Sequence, residues 1–338
     1  MRRKINKFLI GLSVLMLINS QSHAEMKKLA QAGMQFLKIG VGARAAGMGE
    51  SYIAVGQVAD VIFWNPAGLA YLEGTDISFS HTNWIADIKH NAVAAATKFS
   101  RLGVFGISFI TMDYGDIYRT NVDFNPANTF GYTGGKRFGG EKIEVNEYAL
   151  GLAYSRRFTE KFSMGAHIKY VSQDLGNTRV VISGEERITD NTVSAFAFDF
   201  GTLYYVGIRD LRLAMSILNF SRDLKYERES FQLPLIFRVG LAMNIFSLLE
   251  MAENQSMTLT IETLDPRDYT ERYHVGTEYI YDNVLALRAG YKFNYDEEGF
   301  TAGLGLMTET GLSIDYSYTA FGNAFGSVHR FTIGLKFD

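Results

Sequence analysis

The chain of 338 residues contains no cysteine and only four prolines. Without cysteine, disulfide bonds, thiol catalysis and a lipid anchor on a cysteine are all excluded. The scarcity of proline removes the residue that most strongly interrupts strands. An excess of positive charge is also lacking. The net charge is −3, so no basic stripe exists to neutralise phosphates, which argues against a nucleic-acid partner.

Long hydrophobic runs are missing as well. The apolar stretch Phe8–Ile18 is shorter than the roughly 20 residues that a spanning helix needs, and no later stretch qualifies. It follows a basic start and precedes Ser22-His23-Ala24, which can serve as the cleavage site, an order typical of a cleavable secretion signal. We therefore expect residues 1–24 to be a signal peptide.

What the chain does have is alternation of apolar and polar residues from about Thr75 to its end. In Leu233–Ile245, apolar side chains occupy every second position, with Arg238, Gly240 and Asn244 among the residues between them. Such alternation gives a strand one apolar and one polar face. The segments are long for a soluble strand of about 5–6 residues but fit a tilted spanning strand of about 9–11. This favours a lipid-facing barrel over a soluble β-sandwich or propeller.

About fourteen such segments can be counted, and an even number is expected of a single-chain bacterial barrel. We predict an all-β protein, a transmembrane antiparallel β-barrel of about 14 strands formed by residues 73–338, in contact with the lipid of a bacterial outer membrane. The segments are centred near Ser78, Ala94, Ile107, Leu150, Ile168, Phe196, Leu213, Phe237, Leu259, Val275, Leu287, Leu304, Ile314 and Ile333.

The connections between segments alternate between long and short, as they do between the outer loops and inner turns of such barrels. Leu175–Thr189 is one of the expected long outer connections, and Asp282-Asn283 is one of the short inner ones. Phe246–Asn254 is the exception, because it is a long connection on the inner side. We expect a helical turn there.

The longest outer connection, Gly115–Ile143, carries aromatic side chains among glycines. Aromatic residues on an adaptable loop suit a protein-binding surface, and they equally suit a loop that folds inward over the lumen. The candidate partner-binding residues are Tyr118, Phe124, Phe130, Tyr132 and Phe138.

Residues 25–72 do not alternate and are expected to form an N-terminal plug inside the barrel. Small residues around Arg44 allow close approach of the backbone to a wall. Arg44 stands alone among them and is expected to contact a wall carboxylate such as Glu262 or Asp315. Pro66 is expected to open a short helix.

The polar faces of the segments carry charges of both signs. Such charges either connect plug and wall by charge-assisted hydrogen bonds or simply hydrate a lumen. The predicted lumen-facing charges are Glu147, Lys169, Arg212, Arg238, Glu262, Glu278, Arg288, Lys292, Asp315 and Lys336.

No motif indicates an enzyme. The histidines lack metal-binding spacing, no Gly-x-Ser-x-Gly elbow occurs, and the glycines around Gly42 match no phosphate-binding loop. We therefore expect no catalytic residues, no cofactor and no metal site.

Two motifs in the N-terminal segment carry a resemblance. The first contains Gly42, Ala43, Arg44, Gly47, Met48 and Gly49, and the second is Trp64-Asn65-Pro66-Ala67-Gly68. Together they resemble the N-terminal signature of the PorV/PorQ outer-membrane family, which is similar to the fatty-acid transporter class of barrels.

The resemblance implies two functions. PorV-like members are non-enzymatic components of type IX secretion that bind a translocon and exported cargo proteins. The alternative is a channel, similar to the fatty-acid transporter FadL, for hydrophobic small molecules. A dry apolar pocket that runs from plug to wall would favour passage of small molecules, whereas a sealed lumen beneath a platform of loops would favour partner binding.

Overall fold

The computed structural model describes residues 32–122, 132–134, 140–182, 185–226, 230–249, 254–322 and 325–337. Fourteen antiparallel strands within these ranges close into a barrel, in which each strand pairs with the next and the last pairs with the first. The predicted barrel is confirmed, and each predicted centre falls inside one strand. The strands are β1 (Thr75–Asn83), β2 (Lys89–Phe99), β3 (Gly103–Asp113), β4 (Asn146–Arg157), β5 (Phe162–Ile182), β6 (Glu185–Tyr205), β7 (Arg212–Phe220), β8 (Ile236–Asn244), β9 (Gln255–Pro266), β10 (Arg272–Tyr281), β11 (Leu285–Phe293), β12 (Glu298–Met307), β13 (Leu312–Phe321) and β14 (Ser327–Phe337).

Short helices lie between some strands and before the first. The α-helices are α1 (Ala43–Gly47) and α2 (Ile245–Leu249), and the 3₁₀ helices are Gln35–Lys38, Ala59–Phe63, Pro66–Tyr71 and Ile85–Asp87. Within the described part of the chain, no helix has both the length and the apolar character needed to cross a membrane.

Alternation sorts the strand side chains as predicted. On β4, Leu150 is 55% exposed and Leu152 is 66% exposed, whereas Ala149 and Ala153, which flank them, are buried. The exposed apolar residues form the outer face of the barrel, which suits contact with lipid chains. Nine of the ten predicted lumen charges are buried on the inner face, and Lys336 is exposed near the end of β14.

The two ends of the barrel differ in the length of their connections. At the end called the inner mouth, tight turns join the strands, and Asp282 and Asn283 take φ values of +53° and +54° in one of them. Consecutive positive φ values match the twist of paired strands. The long connections lie at the opposite end, called the outer mouth. The exceptional inner connection contains α2, which confirms the predicted helical turn.

The prediction of a long outer connection over Leu175–Thr189 is wrong. The strands β5 and β6 are each 21 residues long and stay paired as far as Ile182 and Glu185. This ribbon projects past Asp174, the last β5 residue paired with β4. Alternation gave no signal for it, because a ribbon outside the barrel needs cross-strand hydrogen bonds but no apolar face.

Residues 32–72, called the N-terminal segment, contact the inner face of the barrel along its length. At the outer mouth, the Gly33 N–H donates to the carbonyl oxygen of Gln232 at 3.0 Å. Near the inner mouth, the Ser163 hydroxyl donates to the carbonyl oxygen of Ala67 at 3.0 Å. The segment therefore runs from the outer mouth towards the inner mouth before it continues into β1.

Candidate functional site

The backbone of the first motif packs directly against the inner face of the barrel. Gly42, with φ +91°, precedes α1, and Gly49 has φ +66°. A Cβ on Gly47 would lie 3.0 Å from the Cα of Gly303, and a Cβ on Gly290 would overlap the backbone of Gly49. Glycines on both surfaces therefore permit a close backbone contact, and any larger residue would push the two backbones apart.

Arg44 binds a wall carboxylate, but not either of those predicted. Its Nε and Nη2 donate to the two carboxylate oxygens of Glu278 at 2.8 and 2.7 Å. Glu278 also accepts from Arg288 Nε at 2.7 Å, and Arg288 Nη1 donates to Asp315 at 2.6 Å. Asp315 is thus engaged by another arginine. The result is a chain of charge-assisted hydrogen bonds that joins the segment to three strands.

Glu262, the other predicted partner, binds backbone N–H groups of the segment. One carboxylate oxygen accepts the N–H groups of Tyr52 and Ile53 at 3.0 and 3.3 Å. The other accepts from Arg238 at 2.8 Å, and the Arg238 guanidinium lies 4.9 Å from the ring centroid of Trp64. The Glu262 carboxylate therefore accepts hydrogen bonds from the main chain of the segment, and Glu278 binds the Arg44 side chain.

Two buried carboxylates of the segment differ in their surroundings. Burial tends to raise the pKa of Glu50, but Lys292 at 2.8 Å and Arg330 at 3.6 Å outweigh it and lower that pKa to about 2. Within the described residues no ion pair joins Asp60 to a cation, and the Tyr52 hydroxyl donates to it at 3.2 Å. Burial raises the pKa of Asp60 to about 7, because it outweighs the opposing effect of the Arg44 charge.

The second motif forms a capped turn near the inner mouth. Pro66 occupies the first position of the 3₁₀ helix Pro66–Tyr71, which confirms the predicted helix start. The Asn65 side chain accepts the Ala67 N–H at 3.1 Å and donates to the carbonyl oxygens of Ile53 and Thr202 at 2.9 and 3.1 Å. One amide therefore caps the helix and ties it to both the segment and the wall.

A third set of contacts between the segment and the wall is apolar. Trp64, Ile62 and Leu69 of the segment are buried in one cluster with small wall residues, among them Ala94 and Ala96. The sequence carried an unused signal for this contact, the run of alanines on the inner positions of β2. The segment thus meets apolar packing on one wall and ion pairs on the opposite one.

A serine, a histidine and an aspartate meet inside the barrel, which the sequence did not indicate. Ser108 Oγ lies 2.8 Å from His167 Nε2, and His167 Nδ1 lies 2.9 Å from Asp199 Oδ2. These distances match a nucleophile relay. However, all three side chains are buried, and Lys169 shares the Asp199 carboxylate at 2.8 Å. The arrangement therefore satisfies the hydrogen-bonding needs of buried polar groups.

Two cavities lie on opposite sides of the N-terminal segment. The outer vestibule is a cavity of about 480 Å³ at the outer mouth, and a second cavity of about 270 Å³ lies towards the inner mouth. They share no lining residue, and the outer vestibule ends at a floor that contains Glu50, Arg238 and Lys292. Its lining also includes Lys38, Trp84, Ile85, Tyr269, Arg272, Tyr295, Asp296, Phe321 and Phe325.

The predicted aromatic loop is described only in part. Tyr118 pairs with Lys142 in a short ladder and is half-buried. The other four aromatic side chains, Phe124, Phe130, Tyr132 and Phe138, lie outside the described side chains. Across the residues described, no cluster of three or more histidine, aspartate or glutamate side chains could hold a metal ion.

Solved structures with a similar fold are barrels of the outer membrane. The CymD monoaromatic hydrocarbon channel is 13% identical, with a TM-score of 0.58 over 88% of this chain and 98% of that one. The toluene transporter TodX of Pseudomonas putida is 14% identical, with a TM-score of 0.55 over 87% and 96%. A FadL homologue of Pseudomonas aeruginosa is 11% identical, with a TM-score of 0.50 over 88% and 98%. At these identities the likeness concerns the fold alone.

Sequence comparison assigns the family. No curated protein matches the chain. The family model for the type IX secretion system membrane protein PorP/SprF matches residues 58–335, which include the second motif but not the first. The finer resemblance to PorV/PorQ is therefore not confirmed, whereas the predicted location in a bacterial outer membrane is. The chain belongs to the PorP/SprF family of type IX secretion system membrane proteins.

Proposed function

We propose that this protein is a non-enzymatic component of type IX secretion that acts as PorV-like members do, by binding an outer-membrane translocon and exported cargo. The observation that carries the proposal is the packed lumen. The N-terminal segment meets the wall through apolar contacts on one side and through Arg44, Glu50 and Glu262 on the other.

A barrel filled in this way has its long connections and the β5–β6 ribbon as its most accessible features at the outer mouth. In this proposal the segment is a permanent plug that keeps the membrane sealed, and the outer connections bind the partners. Membership of the PorP/SprF family supports the secretion context.

Affinity purification from native outer membranes tests the proposal. Tagged protein should co-purify with a large translocon subunit, and a variant that lacks residues 119–139 of the longest connection should recover less of it. An untagged strain sets the background. Recovery of the barrel alone, under conditions that keep other membrane complexes intact, would contradict partner binding.

The alternative function, passage of hydrophobic small molecules, is favoured by one observation. The outer vestibule has an apolar wall that includes Trp84, Ile85 and Phe321. CymD is described as a monoaromatic hydrocarbon channel and TodX as a toluene transporter. Passage would require the plug to move aside. Faster uptake of toluene by outer-membrane vesicles that contain the protein than by vesicles that lack it would support this function over the first.

A further inference from the structure

The outer vestibule contains one cation that differs from the rest. Lys38 pairs with Asp268 at 2.8 Å. Lys292 pairs with Glu50, also at 2.8 Å. Among the described residues, no hydrogen bond or ion pair joins Arg272 to any acceptor, and its Nε atom is buried without one. The cavity wall therefore presents a cation whose hydrogen-bonding capacity is unused.

Two tyrosines hold this guanidinium in place. Its central carbon lies 4.4 Å from the ring centroid of Tyr269 and 4.0 Å from that of Tyr295. The Tyr295 hydroxyl is fixed in turn by His274 Nε2 at 2.8 Å. Ring contacts stabilise the flat cation, and its buried Nε has no acceptor among the described residues. A carboxylate is the acceptor whose geometry matches the N–H donors of a guanidinium.

The opposite side of the vestibule is apolar. Trp84 and Phe321 meet edge to face with ring centroids 5.4 Å apart, and Ile85 and Phe325 extend this surface. Three consecutive carboxylates also line the vestibule. Asp296 and Glu297 are exposed, so water screens them, and Glu298 pairs with Lys292. The cavity thus pairs a positive group on one wall with an apolar surface on the other.

The floor of the vestibule decides what kind of occupant fits. Glu50, Arg238 and Lys292 close it with buried ion pairs, so an occupant enters and leaves by the same mouth. A dead end suits a docked segment better than a molecule in transit.

We propose that the outer vestibule docks a peptide segment of a protein partner in which a carboxylate neighbours an aromatic or aliphatic side chain. The carboxylate binds Arg272, and the apolar side chain packs on Trp84 and Phe321. This inference rests on the proposed partner-binding function and adds to it the chemistry of the segment that is recognised.

Peptide binding to the full chain in lipid nanodiscs tests the inference. The probes are acetyl-Phe-Leu-Asp-Phe-amide and its counterpart with asparagine in place of aspartate. The chain has two tryptophans, and Trp84 lines the vestibule, so its fluorescence reports occupancy. Trp84→Phe should abolish the signal. The aspartate peptide should bind about tenfold or more tightly than the asparagine peptide, because one charge-assisted hydrogen bond is at stake.

Matched variants localise the effect. Arg272→Gln should weaken the aspartate peptide about tenfold and remove the preference over asparagine. Arg272→Lys should retain part of the preference. Arg101→Gln, which makes the same charge change in an exposed inner turn, should change nothing. Equal binding of both peptides to the wild type, or unaltered binding to Arg272→Gln, would overturn the inference.

Two further outcomes separate this inference from the proposed function. If octanoate gives the Trp84 signal and neither peptide does, a small amphiphile is the occupant and the peptide inference fails. If the translocon subunit co-purifies equally with the wild type and with Arg272→Gln, partner binding stands and the vestibule is not its docking site.

Discussion

The contact between Arg44 and Glu278 offers the sharpest single test of how the N-terminal segment is held. Arg44→Ala removes two hydrogen bonds of 2.8 and 2.7 Å to a carboxylate that is 2% exposed. Leaving a buried charge without any partner costs about 3–5 kcal/mol. Because Arg288 remains bound to Glu278, and because the Arg44 side chain is 22% exposed, we expect a smaller loss of about 1.5–3 kcal/mol.

That loss should be visible in two assays. In planar bilayers, Arg44→Ala should raise the conductance, because a segment held less firmly leaves the lumen more often. In thermal unfolding, the same variant should melt at a lower temperature. Combining it with Glu278→Gln should cost less than the sum of the two single substitutions, since both remove the same contact.

An exposed ion pair supplies the control. Lys89 and Asp113 lie 3.9 Å apart with both side chains more than half exposed, so Lys89→Ala should change stability by no more than about 0.5 kcal/mol. Wild-type conductance and wild-type melting of Arg44→Ala would refute the reasoning that this contact holds the segment.

Three further substitutions probe other parts of the structure. The raised pKa of Asp60 means that its protonated form is favoured in the fold, so its contribution to stability is complete below its ordinary pKa and is lost as the pH rises through about 7; Asp60→Asn should flatten the melting temperature between about pH 4 and 7. Gly290→Ala should raise bilayer conductance because its Cβ overlaps Gly49, whereas Gly299→Ala, with nearest neighbours at 3.5 Å, should not. Leu152→Arg places a charge on the lipid-facing surface and should cost up to about 2–4 kcal/mol, measured as reduced assembly into outer-membrane fractions.

Each of these predictions has a result that contradicts it. A pH-dependent melting curve that is unchanged in Asp60→Asn would show that another group titrates. Equal conductance of the two glycine variants would show that the close approach at Gly290 is not needed. Normal assembly of Leu152→Arg would argue that this face does not meet lipid.

The strands could be predicted because alternation reports directly which side chains face lipid. Leu150 and Leu152 face outward and Ala149 and Ala153 inward, as their spacing requires. The tight turn at Asp282-Asn283 could also be predicted, since aspartate and asparagine tolerate positive φ.

The contacts inside the lumen could not be predicted in the same way. Which carboxylate lies level with Arg44 depends on the tilt and stagger of the strands, and these set Glu278 beside it instead of Glu262 or Asp315. Ser108, His167 and Asp199 come from three strands of the continuous stretch β3–β6, and their meeting follows from the pairing registers of those strands. Sequence alternation identifies the inward face but not the height at which two side chains meet.

Site-specific cross-linking in living cells tests the central claim, that the outer mouth binds secretion partners, most directly. Because the chain has no cysteine, a single thiol introduced at the exposed positions Asp296 or Arg101 carries a photo-cross-linker to the outer or inner mouth. The account predicts a cross-link from Asp296→Cys to a translocon subunit or exported cargo, and none to cargo from Arg101→Cys. Absence of any such cross-link at the outer mouth, together with faster toluene uptake by outer-membrane vesicles that contain the protein than by vesicles that lack it, would contradict it.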